Sequence, residues 1–152
     1  MRKYWRWSSN ISKLRGTRMV YLIFLIPLLI AVYTDTKTMT IPIWLFPSST
    51  LAVGFLLYYQ HNLDRGNFMG LIFLGIITFA MAVTGILGGA DVIMFAAIGF
   101  IMSYDTLTYL VILTLICTIF WIFNNNAKKE YPMAPFILTA YILTLAWNII
   151  TP

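Results

Sequence analysis

Six apolar runs, at residues 19–34, 43–59, 68–87, 92–102, 106–123 and 134–150, fill most of this chain, parted by short polar turns such as QHNLDRGN, SYDT and NNNAKKEYP. An α-helix rises 1.5 Å per residue, so about 20 apolar residues cross the ~30 Å hydrocarbon layer of a bilayer, with some tolerance on either side. The runs predict an all-α, polytopic membrane protein with about six transmembrane helices. Composition agrees: 61% of the 152 residues are hydrophobic and 10% are charged, a balance that water-soluble domains do not reach. Residues 1–18, MRKYWRWSSNISKLRGTR, differ in kind, with six cations beside Trp5 and Trp7. They read as a basic, aromatic interfacial segment at the lipid headgroups, followed by a six-helix domain over 19–152. No small-x-small cleavage pattern follows Ile30, so the first run reads as a retained helix. No internal repeat, low-complexity tract or linker divides the chain.

The polar inventory is small enough to reason by elimination. The acids are Asp35, Asp64, Asp91, Asp105 and Glu130. With six crossings, Asp35, Asp91 and Glu130 fall on one face of the membrane, and Asp64 and Asp105 on the other. The fourth run is the shortest, and a helix beginning below the surface would place Asp91, in GILGGADVIMF, at membrane depth. Acids there are costly and mark water-filled functional sites, although an aspartate at a helix start can also be a simple cap. Gly88 and Gly89 permit a tight turn or the close approach of another backbone. His61 is expected on the face opposite Asp35 and Asp91, and the single cysteine, Cys117, reads as a buried small apolar side chain. Ser-His, Cys-His and zinc sites therefore lack their parts. No phosphate-binding or dinucleotide fingerprint is present. Lys37 among Thr36, Thr38 and Thr40 reads as a solvated turn rather than a Thr-Lys dyad.

A pair of carboxylates remains. Two acids a few ångströms apart do not both ionise easily, so one acts as base on a water while the other donates to the substrate carbonyl. Such a pair works without a metal, and neither a metal nor a cofactor is expected.

Three segments resemble a known family. GGAD at 88–91 is similar to the GxGD signature of intramembrane aspartyl proteases. DTKTMTIPIW at 35–44 resembles the region of the first catalytic aspartate in type IV prepilin and preflagellin (prearchaellin) peptidases, where an Ile-Pro, here Ile41-Pro42, opens the next helix. YPMAPFILTAYIL at 131–143 is similar to that family's Pro-x-x-Pro-Phe entrance to the last helix, carried by Pro132, Pro135 and Phe136. The resemblance implies an aspartic endopeptidase that removes a short basic leader from prepilin-like or prearchaellin-like membrane proteins. Asp35 and Asp91 would be its catalytic pair, with Gly88, Gly89, Pro42, Pro132 and Pro135 shaping the site. The expected partners are these precursors and the lipid bilayer, without nucleic acid. Ile93 stands where bacterial members often have lysine, and the archaeal branch is looser there. The chain also lacks the paired-cysteine insertion of larger bacterial members, so no N-methylation is expected.

The family's topology puts the aspartates on the cytoplasmic side of the cell membrane and, with six helices, the N-terminus outside. The cations of residues 1–18 point the other way under the positive-inside tendency. The resemblance decides for a cytoplasmic site, and a re-entrant element in 1–18 is an alternative route to the same site. From the residues alone, a small ion-coupled transporter or channel subunit using Asp35 and Asp91 stays open, as does a non-catalytic assembly subunit.

Overall fold

The computed structural model describes residues 2–85, 87–123 and 132–150, with the side chains of 2–18, 121 and 149 outside the description. Among these residues all regular structure is helical. The helices are α1 (Arg2–Thr38), α2 (Leu45–Tyr59), α3 (Arg65–Val83), α4 (Gly89–Met102), α5 (Thr106–Phe123) and α6 (Ala134–Ile150). A 3-10 turn at Ser103–Asp105 joins α4 to α5. Met19–Thr38, Arg65–Val83 and the stretch Gly89–Phe120 are long and apolar enough to cross a membrane, while α2 and α6 are shorter apolar helices. Three spans by length is fewer than the six crossings read from the sequence. The reason is that α2 and α6 have 15 and 17 residues, and α4 and α5 run on as one apolar stretch.

Local chemistry sets the helix ends. α1 outlasts the first apolar run and stops where Met39 turns left-handed at φ 53° and donates its N–H to the Asp35 carbonyl at 2.9 Å. α2 starts after Pro42, whose carbonyl accepts the Leu45 N–H at 3.1 Å. α3 begins earlier than the apolar run because Asp64 caps it: Asp64 Oδ1 accepts the Arg65 N–H at 2.7 Å, and Asn67 Oδ1 accepts the Asp64 N–H at 2.9 Å. Residues 2–18 continue α1 without interruption, so no re-entrant turn occurs there.

Asn67 also donates Nδ2 to the Phe100 carbonyl at 2.7 Å, tying the start of α3 to the end of α4. Between that bond and the middle of the pair, Gly70 and Gly99 bring the two backbones into contact, the small-residue packing that membrane helices use in place of a hydrophobic drive. Elsewhere Phe24 of α1 lies 6.1 Å from the Phe46 ring of α2 and 6.0 Å from the Tyr141 ring of α6. Tyr141 donates its hydroxyl to the Tyr21 carbonyl at 3.0 Å. The core of Phe24, Leu74, Ile98, Tyr109 and Ile137 is enclosed, whereas Leu51, Phe55, Ile76 and Leu115 stand exposed on the outside. An apolar exterior of this kind suits lipid.

Two polar ends result. At one, Asn148 near the end of α6 donates Nδ2 to Asp105 Oδ2 at 2.8 Å, and the Tyr104 hydroxyl reaches Asp64 Oδ2 at 3.4 Å. At the other, the last turn of α1 meets the first residue of α6. Asp64 and Asp105 therefore sit together and away from Asp35, as the crossing count expects.

Candidate active site

Asp35 occupies the last turn of α1 and is 8% exposed. Its Oδ2 accepts the backbone N–H of Ala134, 99 residues along the chain, at 2.9 Å. The start of α6 explains this contact. The first N–H groups of a helix have no intrahelical acceptor. Here Phe136 and Ile137 both donate to the Met133 carbonyl, at 3.1 and 3.2 Å, and Pro135 has no N–H to satisfy. Ala134 holds the remaining donor. Met133 has no side-chain oxygen with which to cap it. Asp35 takes that part from another helix.

Asp91 lies in the first turn of α4 and is partly buried. Its Oδ2 reaches back to the Gly88 N–H at 3.1 Å, an exposed contact. Asp91 thus caps its own helix and also faces the charge of Asp35. The structure therefore sets these two carboxylates at one end of the bundle. A Cβ added at Gly88 would lie 3.3 Å from Asp91 Oδ2, and one at Gly89 would meet nothing within 4 Å. The left-handed turn falls on Gly85, at φ 76°, while Gly88 is extended. Gly88 thus leaves room around the Asp91 carboxylate and Gly89 leaves an open backbone.

Pro42 lies in the link from α1 to α2 and Pro132 lies just before α6, both partly buried; Pro135 sits in the first turn of α6. Lys128, Lys129, Glu130 and Tyr131 lie outside the described residues. The Thr-Lys dyad does not assemble. Thr36 and Thr38 donate to the Val32 and Thr34 carbonyls, and Lys37 donates to the Tyr33 hydroxyl at 3.2 Å. His61 is exposed just beyond α2, in the link that also carries Asp64. Cys117 is half-buried rather than enclosed. The contact that sequence reasoning missed is Ala134 with Asp35, because a backbone N–H leaves no trace in residue identity.

The family model of the type IV leader peptidases, peptidase A24, matches residues 22–123. The chain belongs to the type IV leader peptidase family. The match begins in α1, ends with α5, and includes Asp35, Pro42, Gly88, Gly89 and Asp91, while Pro132 and Pro135 lie past it. Comparison with curated proteins and with solved structures gave no match. As a member of this family the protein is an aspartic leader peptidase of the membrane, acting on type IV prepilin-like precursors. That membership displaces the transporter and assembly-subunit readings.

Proposed function

We propose that this leader peptidase removes a short basic leader from prepilin-like or prearchaellin-like precursors, with Asp35 and Asp91 as its catalytic pair and without methylating the new N-terminus. What supports this reading is that Asp35, held by the N-terminus of α6, and Asp91, beside an open glycine, lie near enough for the charge of one to act on the other. One carboxylate takes a proton from a water, whose oxygen attacks the scissile carbonyl carbon. The other gives a proton to the carbonyl oxygen; the C–N bond then breaks, and the leaving nitrogen takes up a proton. Gly88 and Gly89 give an extended substrate backbone room beside Asp91, and Pro42, Pro132 and Pro135 shape the approach.

The purified enzyme, incubated with a tagged prepilin-like precursor, is expected to release the leader just before the precursor's hydrophobic helix. The mass of the product gives the result directly. Cleavage at that bond with an unmodified amine is expected even when S-adenosylmethionine is present, whereas an added methyl group or an intact precursor would contradict the proposal.

Six crossings with a cytoplasmic site put α1's basic end outside, against the positive-inside tendency. The reading predicts which positions a membrane-impermeant maleimide reaches. In a Cys117→Ala background, His61→Cys is expected to label in intact cells and Thr36→Cys only after permeabilisation, both positions being exposed. The opposite pattern would turn the site to the outside.

A further inference from the structure

We infer that the N-terminus of α6, through the Ala134 N–H, is a positioning element of the reaction that makes Asp35 the base of the pair and leaves Asp91 the acid. The inference rests on the proposed catalytic role of the two aspartates. An acid-base pair has to be asymmetric, and the two carboxylates are held differently. Asp35 accepts its N–H in a buried contact at 2.9 Å, where water does not compete and a hydrogen bond to a charged acceptor is strong. Asp91 accepts its own from Gly88 at 3.1 Å in the open. A donor bonded to a carboxylate favours the charged form. The contact comes from the first residue of the 17-residue α6, so the positive end of that helix faces the Asp35 carboxylate.

With Oδ2 engaged by Ala134, Asp35 keeps Oδ1 for the reacting water. Among the described residues, the other groups around Asp35 do not supply this asymmetry. Lys37 in the same turn is exposed and lies over the Tyr33 ring, 5.4 Å from its centre. The first turns of α2 and α6 carry no titratable side chain, and Tyr58 and Tyr59 stand at the far end of α2. Across the site stands Asp91 of α4. The segment 124–131 lies outside the described residues.

The test removes one hydrogen-bond donor. Lactic acid incorporated in place of Ala134 by nonsense suppression turns the amide into an ester, which deletes that N–H and weakens the Met133 carbonyl as an acceptor. Phenyllactic acid in place of Phe136 deletes a neighbouring N–H that serves the Met133 carbonyl and is the control for a weakened helix start. Both full-length enzymes are assayed on the prepilin-like precursor across pH. Loss of a hydrogen bond to a charged group is expected to lower kcat by about tenfold or more in the 134 ester alone. The acidic limb of its kcat/KM profile is expected to shift from that of the wild type and of the 136 ester, because the contact that distinguishes the two carboxylates is gone. An unmoved limb, or equal effects in both esters, overturns the inference. Ala134→Pro is the second variant, since proline lacks the N–H and suits the first position of a helix. If neither 134 variant folds while the 136 ester does, the contact is architectural only and the inference fails. Failure of the underlying catalytic proposal looks different: Asp35→Asn would still cleave, or the wild type would not.

Discussion

Gly70→Leu is expected to leave no properly folded protein. A Cβ at Gly70 would collide with the Gly99 carbonyl oxygen and lie 2.9 Å from the Gly99 carbonyl carbon and 2.8 Å from Thr106 Oγ1. The collision is reciprocal: a Cβ at Gly99 would strike the Gly70 carbonyl oxygen and approach its carbon to 2.7 Å. Overpacked cores lose about 1–3 kcal/mol when side chains can give way. Here the obstacle is backbone, and the Asn67 bond to Phe100 resists separation of the helices. Separating α3 from α4 would also move Asp91, which α4 carries. Size-exclusion chromatography and thermal unfolding in detergent provide the check. Gly70→Leu should aggregate or melt far below wild type, and Gly89→Ala, whose Cβ meets nothing, should melt close to it. A Gly70→Leu protein as stable as wild type would rule out the backbone contact.

Asp35→Ala and Asp35→Asn should be alike in activity and unlike in stability. Each removes the carboxylate, and loss of one member of a catalytic unit costs on the order of a thousandfold or more in rate. Asparagine keeps an oxygen to accept the Ala134 N–H. Alanine strands that buried donor, at a cost of about 1–3 kcal/mol. Asp91→Ala gives up only an exposed contact and should retain stability near that of wild type while losing cleavage. Precursor cleavage and thermal melts of the three variants test this together. Equal melting of Asp35→Ala and Asp35→Asn would show that Asp35 does not cap α6.

Hydropathy located all six helices, because apolar run length is a one-dimensional property that survives any packing. It misplaced their ends for identifiable reasons. The polar residues Asp64 and Asn67 extend α3 outward by capping it, and α1 runs on past its apolar run through Thr34, Thr36 and Thr38, whose hydroxyls bond to carbonyls one turn back. The shared end of Asp35 and Asp91 was legible because successive helices run in opposite directions. The partner of Asp35 was not, since it is a main-chain group 99 residues distant whose availability depends on Pro135 and Met133. Nor could sequence distinguish Gly70 and Gly99, which bring two helices together, from Gly89, which touches nothing.

The central claim is that Asp35 and Asp91 act as one catalytic unit, and a double-mutant cycle tests it most directly. Cleavage rates of a prepilin-like precursor would be measured for wild type, Asp35→Asn, Asp91→Asn and the double variant, with folding checked for each. Residues that work as a unit are grossly non-additive, so each single variant should be nearly as slow as the double. Losses that multiply, or a single variant that retains cleavage, would contradict the paired mechanism.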